Sequence, residues 1–150
     1  MDETLYQYLV SRPEISSLVD DRVHPDFIPQ EDRQEQELFL PAIVYRLESA
    51  QNSGDLDGND GMVMATYSLI AVGRTRAESH RLRDAVRVAM GGFVDDIGTH
   101  SNSRVWIEGP LSDGDDIEVS PDQDERRRFI NTQTFQITYY VDASANNVLL

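Results

Sequence analysis

The chain has 150 residues and no cysteine, so it has the length of one domain and can form neither a disulfide nor a thiolate metal site. Its formal net charge of −14 repels phosphates, which argues against general nucleic-acid binding. All thirteen basic residues are arginine. This composition fits either a GC-rich genome or a high-salt cytoplasm, where dense salt screens the repulsion between acidic groups.

Neither end of the chain shows a targeting or membrane-spanning pattern. The longest uncharged run covers 61–73, which is shorter than the roughly 20 apolar residues that span a bilayer. The acidic start lacks the basic region of a signal peptide. We therefore expect a soluble protein, without membrane contact, that forms a single domain over residues 1–150.

The first quarter of the sequence predicts short elements. Apolar residues at helical spacing predict a helix over 4–11, and Pro13 early in the next segment indicates a second helical turn. Residues 23–28 are extended in character but contain Pro25. Proline cannot donate to a strand ladder, so we expect a minor strand at the edge of a sheet.

Two strands and two acidic loops follow. Residues 30–37 contain no apolar side chain, which indicates a solvated loop. Residues 39–47 predict a strand with Pro41 near its beginning. The segment 50–61 is rich in Gly, Asn and Asp and predicts a long flexible turn into an antiparallel partner strand over 62–73.

The strand over 62–73 leads directly into a helix. Thr75 can accept a hydrogen bond as N-cap, and Glu78 stands three residues later, as in a capping box. Phe93 and Val94 suggest that the apolar face continues for a further turn. The residues that define this face follow the three-then-four spacing of a helix on a sheet: Leu82, Ala85, Val86, Ala89, Met90 and Phe93.

The remaining sequence predicts more strand. Residues 104–108 form a short strand stopped by Gly109 and Pro110, 112–116 form a third acidic loop, and 117–119 are a further short strand. Apolar and polar residues alternate over 127–141, which indicates a strand with one packed face. The fold class predicted is α+β, a mostly antiparallel sheet of about four main strands with two helices packed on it.

An acidic motif resembles part of a calcium-binding loop. Asp55, Asp57 and Asn59 match the first three ligand positions. Asp60 stands where a glycine is required, and Thr66 stands where a bidentate Glu is required. The pattern therefore favours a solvated acidic turn, and we expect no metal.

The histidines do not form a metal or catalytic motif. His24, His80 and His100 lack the short spacing of a zinc site. His80 and Asp84 are four residues apart and share a helical face, which could orient an imidazole as a general base. No nucleophile motif or phosphate-binding glycine loop accompanies them, so we predict that the protein is not an enzyme and needs no cofactor.

Two features favour contacts between proteins. Arg126, Arg127 and Arg128 form the one basic cluster, and the acidic residues directly before it favour an ion-pair contact between subunits over nucleic-acid binding. The C-terminal tail, 142–150, is polar until Val148, Leu149 and Leu150. This apolar end is a candidate for docking on a neighbour.

The order of these segments resembles a known family. An N-terminal helix precedes Val23-His24-Pro25, then come Leu40-Pro41-Ala42-Ile43-Val44-Tyr45, a loop, a long strand, a helix with an Arg-rich polar face and a closing aromatic strand. This order and spacing are similar to those of the tail-terminator family of long-tailed bacteriophages and related viruses, also called tail-completion or head-tail joining proteins. The resemblance covers nearly the whole chain.

The resemblance implies a structural virion protein without an active site. It implies a hexameric ring that caps the tail tube, ends tube polymerisation and joins the tail to neck or connector proteins, after assembly in the host cytoplasm. DNA would pass through the ring without sequence-specific binding, along an acidic lumen. Ring closure needs two different complementary patches on each subunit, and Arg126–Arg128 against an acidic loop carrying Asp55, Asp57 and Asp60 is the candidate pair.

Two alternatives remain open. The chain could be another neck component, an adaptor or stopper that attaches on the portal side. It could also be a small ligand-binding regulatory domain, because α+β sheets commonly pair into dimers that hold metabolites between them.

Overall fold

The computed structural model describes residues 2–28, 40–55, 58–90, 94–95, 105–119, 127–142 and 147–148. Within these residues the chain forms three helices and seven strands. In chain order they are α1 Asp2–Ser11, α2 Pro13–Val19, β1 Val23–Pro25, β2 Ala42–Asp55, β3 Gly58–Gly73, α3 Arg76–Met90, β4 Val94–Asp95, β5 Val105–Val119, β6 Arg127–Asp142 and β7 Asn147–Val148.

The strands form one mixed but mostly antiparallel sheet. The order across the sheet is β1-β2-β3-β6-β5-β4, and β7 pairs with the end of β6. Only β1 runs parallel to its neighbour, and it pairs with β2 over three residues. The four long strands are therefore β2, β3, β6 and β5, with β3 and β6 at the centre.

All three helices contribute to a core on one face of the sheet. From α1 and α2 the buried residues are Leu5, Tyr8, Leu9, Ile15 and Val19, and from α3 they are Leu82, Val86, Ala89 and Met90. The sheet supplies alternate residues of β2, β3 and β6, of which Tyr67 and Phe135 are the largest that are fully buried. We call this the helix face and the opposite side the outer face.

Hydrogen bonds tie the first helix to this core. The Tyr8 hydroxyl donates to the Ala89 carbonyl oxygen at 2.5 Å, and the Tyr67 hydroxyl donates to the Asp2 carboxylate at the start of α1. Burial, followed by this hydrogen bond, raises the pKa of Tyr67. Tyr67 therefore stays protonated and remains a donor at physiological pH.

The predicted cap of α3 is present with one change of partner. The Glu78 amide donates to the Thr75 hydroxyl at 3.1 Å, as the sequence predicted. The Glu78 carboxylate accepts from the Arg74 amide at 2.9 Å, one residue before the expected amide. Gly73 allows this tight entry, because a Cβ atom there would lie 2.7 Å from the Ser79 backbone nitrogen.

Two predicted acidic loops are strands, so these predictions were wrong. The segment 50–61 is the end of the β2–β3 hairpin, with ladder pairs as far as Asp55 and Gly58. The segment 112–116 lies inside β5, paired with β6. Backbone pairing with a neighbouring strand overrides the low strand propensity of Gly and Asp at these positions.

Other boundaries also differ from the prediction. The short strands predicted over 104–108 and 117–119 belong to one strand, β5, which begins at Val105 and whose register shifts between Glu108 and Ser112 around Pro110. Helix α3 is described as far as Met90 and Val94 belongs to a strand, so Val94 is not part of the helix, and Phe93 lies outside the described residues. Three helices are present where two were predicted. The loop over 30–37 lies outside the described residues.

Removal of the Thr75 hydroxyl tests the cap of α3. Thr75→Ala leaves the Glu78 amide without its acceptor, so we expect the free energy of unfolding to fall by about 1 kcal/mol. Thr75→Ser keeps a hydroxyl at the same place and is the matched control. Urea unfolding at pH 7 measures both variants, and equal stabilities of Thr75→Ala and Thr75→Ser would show that the hydroxyl does not cap the helix.

Candidate interaction surfaces

The structure separates the predicted contact residues into two groups at opposite ends of the sheet. Arg127 and Arg128 begin β6, beside the last residues of β5. Asp55 and Asp60 lie near the tip of the β2–β3 hairpin. β3 and β6 pair continuously from Gly73–Phe129 to Met62–Tyr140, so about 11 residue steps, roughly 37 Å, separate the two ends.

The remaining predicted contact residues are only partly placed. Val148 lies in β7, which pairs with Val141 and Asp142, so it is at the same end of the sheet as the hairpin tip. Arg126, Asp57, Leu149 and Leu150 lie outside the described residues. Within one subunit the arginines therefore do not meet the acidic tip, and any contact between them requires a second copy.

A polar cluster connects α3 to β5 and β6 on the helix face. The Asn131 side-chain amide donates to Asp113 Oδ1 and to Asp115 Oδ1, both at 2.7 Å. From α3, Arg87 forms an ion pair with Asp113, and His80 Nε2 lies 3.1 Å from Asp115 Oδ2. His80 is therefore paired with β5 and not with Asp84, whose carboxylate instead accepts from Arg83.

Two amides anchor this cluster inside the protein. Asn131 and Gln133 are both fully buried. The Gln133 side-chain amide donates to the Arg83 carbonyl oxygen at 3.0 Å, and its oxygen accepts from Arg87 Nε at 3.4 Å. Neither residue was predicted to belong to a site, although their odd-numbered positions place them on the packed face of β6 together with Phe135.

The charge state of the cluster follows from its hydrogen bonds. The Asn131 amide, and then the contacts of His80 and Arg83, hold the pKa of Asp115 below its ordinary value. Asp115 is thus ionised at neutral pH and presents a negative charge to α3. Among the described residues the buried Asn131 Oδ1 atom has no hydrogen-bond partner.

A half-open cavity of about 280 Å³ lies beside this cluster. Arg76 and His80 of α3 line one side, Asp115 and Asp116 the other, and the Arg76 guanidinium lies 5.9 Å from the centre of the Phe129 ring. No nucleophile is positioned in it: the Ser79 hydroxyl, which also lines the cavity, donates to the Ala71 carbonyl oxygen. The His80 hypothesis thus has a carboxylate partner but no described reacting group.

The outer face carries a second concave region of about 250 Å³. Its floor includes Val44, Ile70 and Ile130, and Phe27 stands at its edge with 69% of its surface exposed. The preceding residue, Asp26, has a positive φ of 66°. Its amide donates to the Tyr45 carbonyl oxygen and its own carbonyl oxygen accepts from Arg46, so the turn that presents Phe27 is held in place.

The described residues contain neither a metal-binding cluster nor a helix that could cross a membrane. The described part of the chain contains no cluster of three or more His, Asp or Glu residues arranged to hold a metal ion. None of the described helices combines the length and apolar character needed to cross a membrane. The described residues present two concave regions, exposed sheet edges and charged residues at both ends of the sheet.

Comparison with known proteins identifies the family. The family model described as Tail completion protein gp17 matches residues 3–143, and the chain belongs to this family. Its role is therefore structural, in the tail or neck of a phage-like virion, as the order of the segments predicted.

A solved structure supports the fold. A chain from the structure titled "Virion of native gene transfer agent (GTA) particle" is similar with a TM-score of 0.50 and 14% sequence identity, over 93% of this chain and 94% of that one. At this identity the likeness concerns the fold alone. The comparison with curated proteins gives no match.

The polar cluster predicts a pH-dependent effect of Asn131→Leu. At pH 7 two neighbouring carboxylates lose their shared donor, so we expect a loss of about 1 to 2 kcal/mol in the free energy of unfolding. Because the pKa of Asp115 is lowered in the folded state, this stabilisation is present above the unfolded pKa near 3.8 and is lost as the pH falls through the folded pKa.

The measurement is urea unfolding of the wild type and Asn131→Leu at pH 7 and pH 3. Thr132→Val, on the outer face of the same strand, is the control and should show no such dependence. A difference between wild type and Asn131→Leu that is as large at pH 3 as at pH 7 would contradict the assignment of the stabilisation to ionised carboxylates.

His24 predicts a loss of stability in mild acid. Its Nε2 atom is buried and has no hydrogen-bond partner among the described residues. Burial lowers its pKa, against the opposing effect of Asp21 and with a smaller lowering by Arg22. The folded state thus favours neutral His24, and protonation increasingly favours unfolding as the pH falls below about 6.5.

Thermal unfolding of the wild type and His24→Gln between pH 7.5 and pH 5 tests this expectation. Glutamine stays neutral over the whole range, so the melting temperature of the wild type should fall relative to the variant as the pH decreases. Parallel pH profiles would show that His24 titrates equally in the folded and unfolded states.

Proposed function

We propose that this protein forms a ring that caps the tail tube of a phage-like particle, ends tube polymerisation and joins the tail to the head or neck. The family match over residues 3–143 carries this proposal. The structure contributes a supporting observation, because each subunit has different charged surfaces at the two ends of its sheet. A closed ring needs such unlike surfaces, since a contact between identical patches closes a dimer.

The ring is a hexamer of this chain, assembled in the host cytoplasm, and its partners are the tail tube protein on one side and neck or connector proteins on the other. DNA passes through the ring without sequence-specific binding. The formal charge of −14 supports this passage, because an acidic lumen repels the phosphates and lets the duplex slide.

The two ends of the sheet make the contacts with neighbouring subunits or partner proteins. One end carries Arg127 and Arg128, and the other carries Asp55, Asp60 and Val148. We propose that Arg126, Asp57, Leu149 and Leu150, which lie outside the described residues, take part in the same contacts as their sequence neighbours. Because the ends lie roughly 37 Å apart, one subunit can offer both surfaces at once to different neighbours.

Native mass spectrometry and electron microscopy test the ring. We expect a hexameric species that binds the ends of tubes made from the tail tube protein and limits their length. Monomers that neither form rings nor bind tube ends would overturn the proposal. Binding on the portal side alone would identify an adaptor or stopper. A dimer whose melting temperature rises with a metabolite would favour a ligand-binding regulatory domain.

Charge reversal tests the arginine end. Arg127→Glu and the matched control Arg81→Glu each reverse one exposed arginine, and only Arg127 belongs to the proposed contact. We expect at least a tenfold weaker assembly or tube binding for Arg127→Glu and little change for Arg81→Glu. Loss of rings would place Arg127 between subunits, and loss of tube capping alone would place it against a partner. Equal behaviour of the two variants would remove the arginine end from the contact.

A further inference from the structure

Among the described residues, β2 and β5 have no neighbour on their outer sides over most of their length. β1 covers β2 only from Ile43 to Tyr45, and β4 covers β5 only at Val105 and Trp106. Beyond these pairs, all seven residues of 46–52 are exposed, and so are all eight of 111–118. We call these segments the β2 window and the β5 window. They lie on opposite edges of the same sheet.

The windows also carry large apolar side chains that are more than 40% exposed. Five large apolar residues are exposed in the described part of the chain, and three of them lie in the windows: Leu47 in the first, Leu111 and Ile117 in the second. An exposed strand edge with apolar side chains is a template for pairing with another strand. Natural proteins avoid leaving one without a partner or a protecting charge.

The charges of the two windows determine whether like or unlike edges can pair favourably. The β5 window contains Asp113, Asp115, Asp116 and Glu118 and no basic residue, so two β5 windows placed side by side would oppose like charges. The β2 window contains one acidic residue and Arg46. Pairing of two β2 windows would close a dimer and leave both β5 windows uncovered.

We propose that the β2 window of one copy pairs with the β5 window of the next, so that the sheet continues from subunit to subunit. This inference rests on the proposed ring, because only a contact between two different edges can be repeated around a circle. It uses surfaces other than the arginine end and the hairpin tip, which can make further contacts with neighbouring subunits or with the tube and neck proteins.

The strand directions fit this arrangement. Within one copy β2 is antiparallel to β3, β3 to β6, and β6 to β5, so β5 runs antiparallel to β2. Neighbours that point the same way along the ring axis therefore bring the two windows together as an antiparallel pair. Subunits of a cyclic ring all point the same way, as this pairing requires.

The windows also define an offset between neighbours. Ser49 pairs with Thr66 of β3. Gly114 pairs with Thr132 of β6, which in turn pairs with Ile70 of β3, four residues from Thr66. Aligning the windows shifts the next copy along the strand direction by four to five residues, roughly 15 Å. A regular shift of this kind is the shear that a closed sheet requires.

Engineered cysteines can test the pairing, because the chain has no cysteine of its own. Ser49 and Gln51 of β2, and Gly114 and Asp116 of β5, all lie on the outer face by their ladder partners. A Cβ atom at Gly114 would meet no atom within 4 Å, so a side chain fits there. Within one subunit two strands lie between β2 and β5, about 14 Å, which is too far for an intramolecular disulfide.

The experiment uses the four double variants that combine one position from each strand, together with the four single variants. Circular dichroism confirms that each variant folds, and assembly is carried out with and without the tail tube protein before mild oxidation. We expect at least one double variant to give a ladder of covalent oligomers up to six on non-reducing electrophoresis, while every single variant stays monomeric.

The other outcomes are equally informative. Covalent dimers of a single β2 or β5 variant would show pairing of like edges and overturn the inference. Rings in the microscope without a ladder from any double variant would overturn it and leave the proposed function standing. A ladder from protein that never binds tube ends would support the sheet pairing and count against tube capping.

Discussion

The antiparallel contact between β3 and β6 holds the molecule together, because it joins the β2–β3 hairpin to β5 and β6 in one sheet. It runs without interruption from Gly73–Phe129 to Met62–Tyr140. α3 packs on the helix face with Leu82 and the rest of its apolar stripe. Burial of that stripe supplies the hydrophobic stabilisation, and the ladder fixes which side chains of each strand face the helix.

Coverage by helices on one face only has consequences for function. On the outer face a smaller apolar cluster around Ala42, Val44 and Val72 is buried beneath Ile28 and Leu40, whereas 46–52 of β2 and 111–118 of β5 are exposed. The net charge of −14 disfavours contacts between two acidic surfaces.

The polar cluster shows how the negative charges of two aspartates are compensated inside the subunit. Asp113 and Asp115 lie on a strand that has no second neighbour over most of its length among the described residues. Both carboxylates accept from the buried Asn131 amide, and each also contacts a side chain of α3, Arg87 or His80. Charges on an edge strand discourage pairing with an identical edge. The same aspartates therefore fasten α3 and make the pairing of two β5 edges unfavourable.

The sequence alone determined the elements whose signals are local. The cap at Thr75, the apolar stripe of α3 and the alternation of β6 each follow from neighbouring residues, and the segment order was enough to indicate the family. The acidic segments 50–61 and 112–116 were predicted as loops because Gly and Asp disfavour strands. Only the tertiary structure decided that they are strands, because a neighbouring ladder supplies the hydrogen bonds that local propensity cannot. The same reason explains why Asn131 and Gln133 were not predicted as site residues. In the sequence they are ordinary polar positions, and only the sheet places them beneath α3. The exposed edges of β2 and β5 likewise follow only from the strand order.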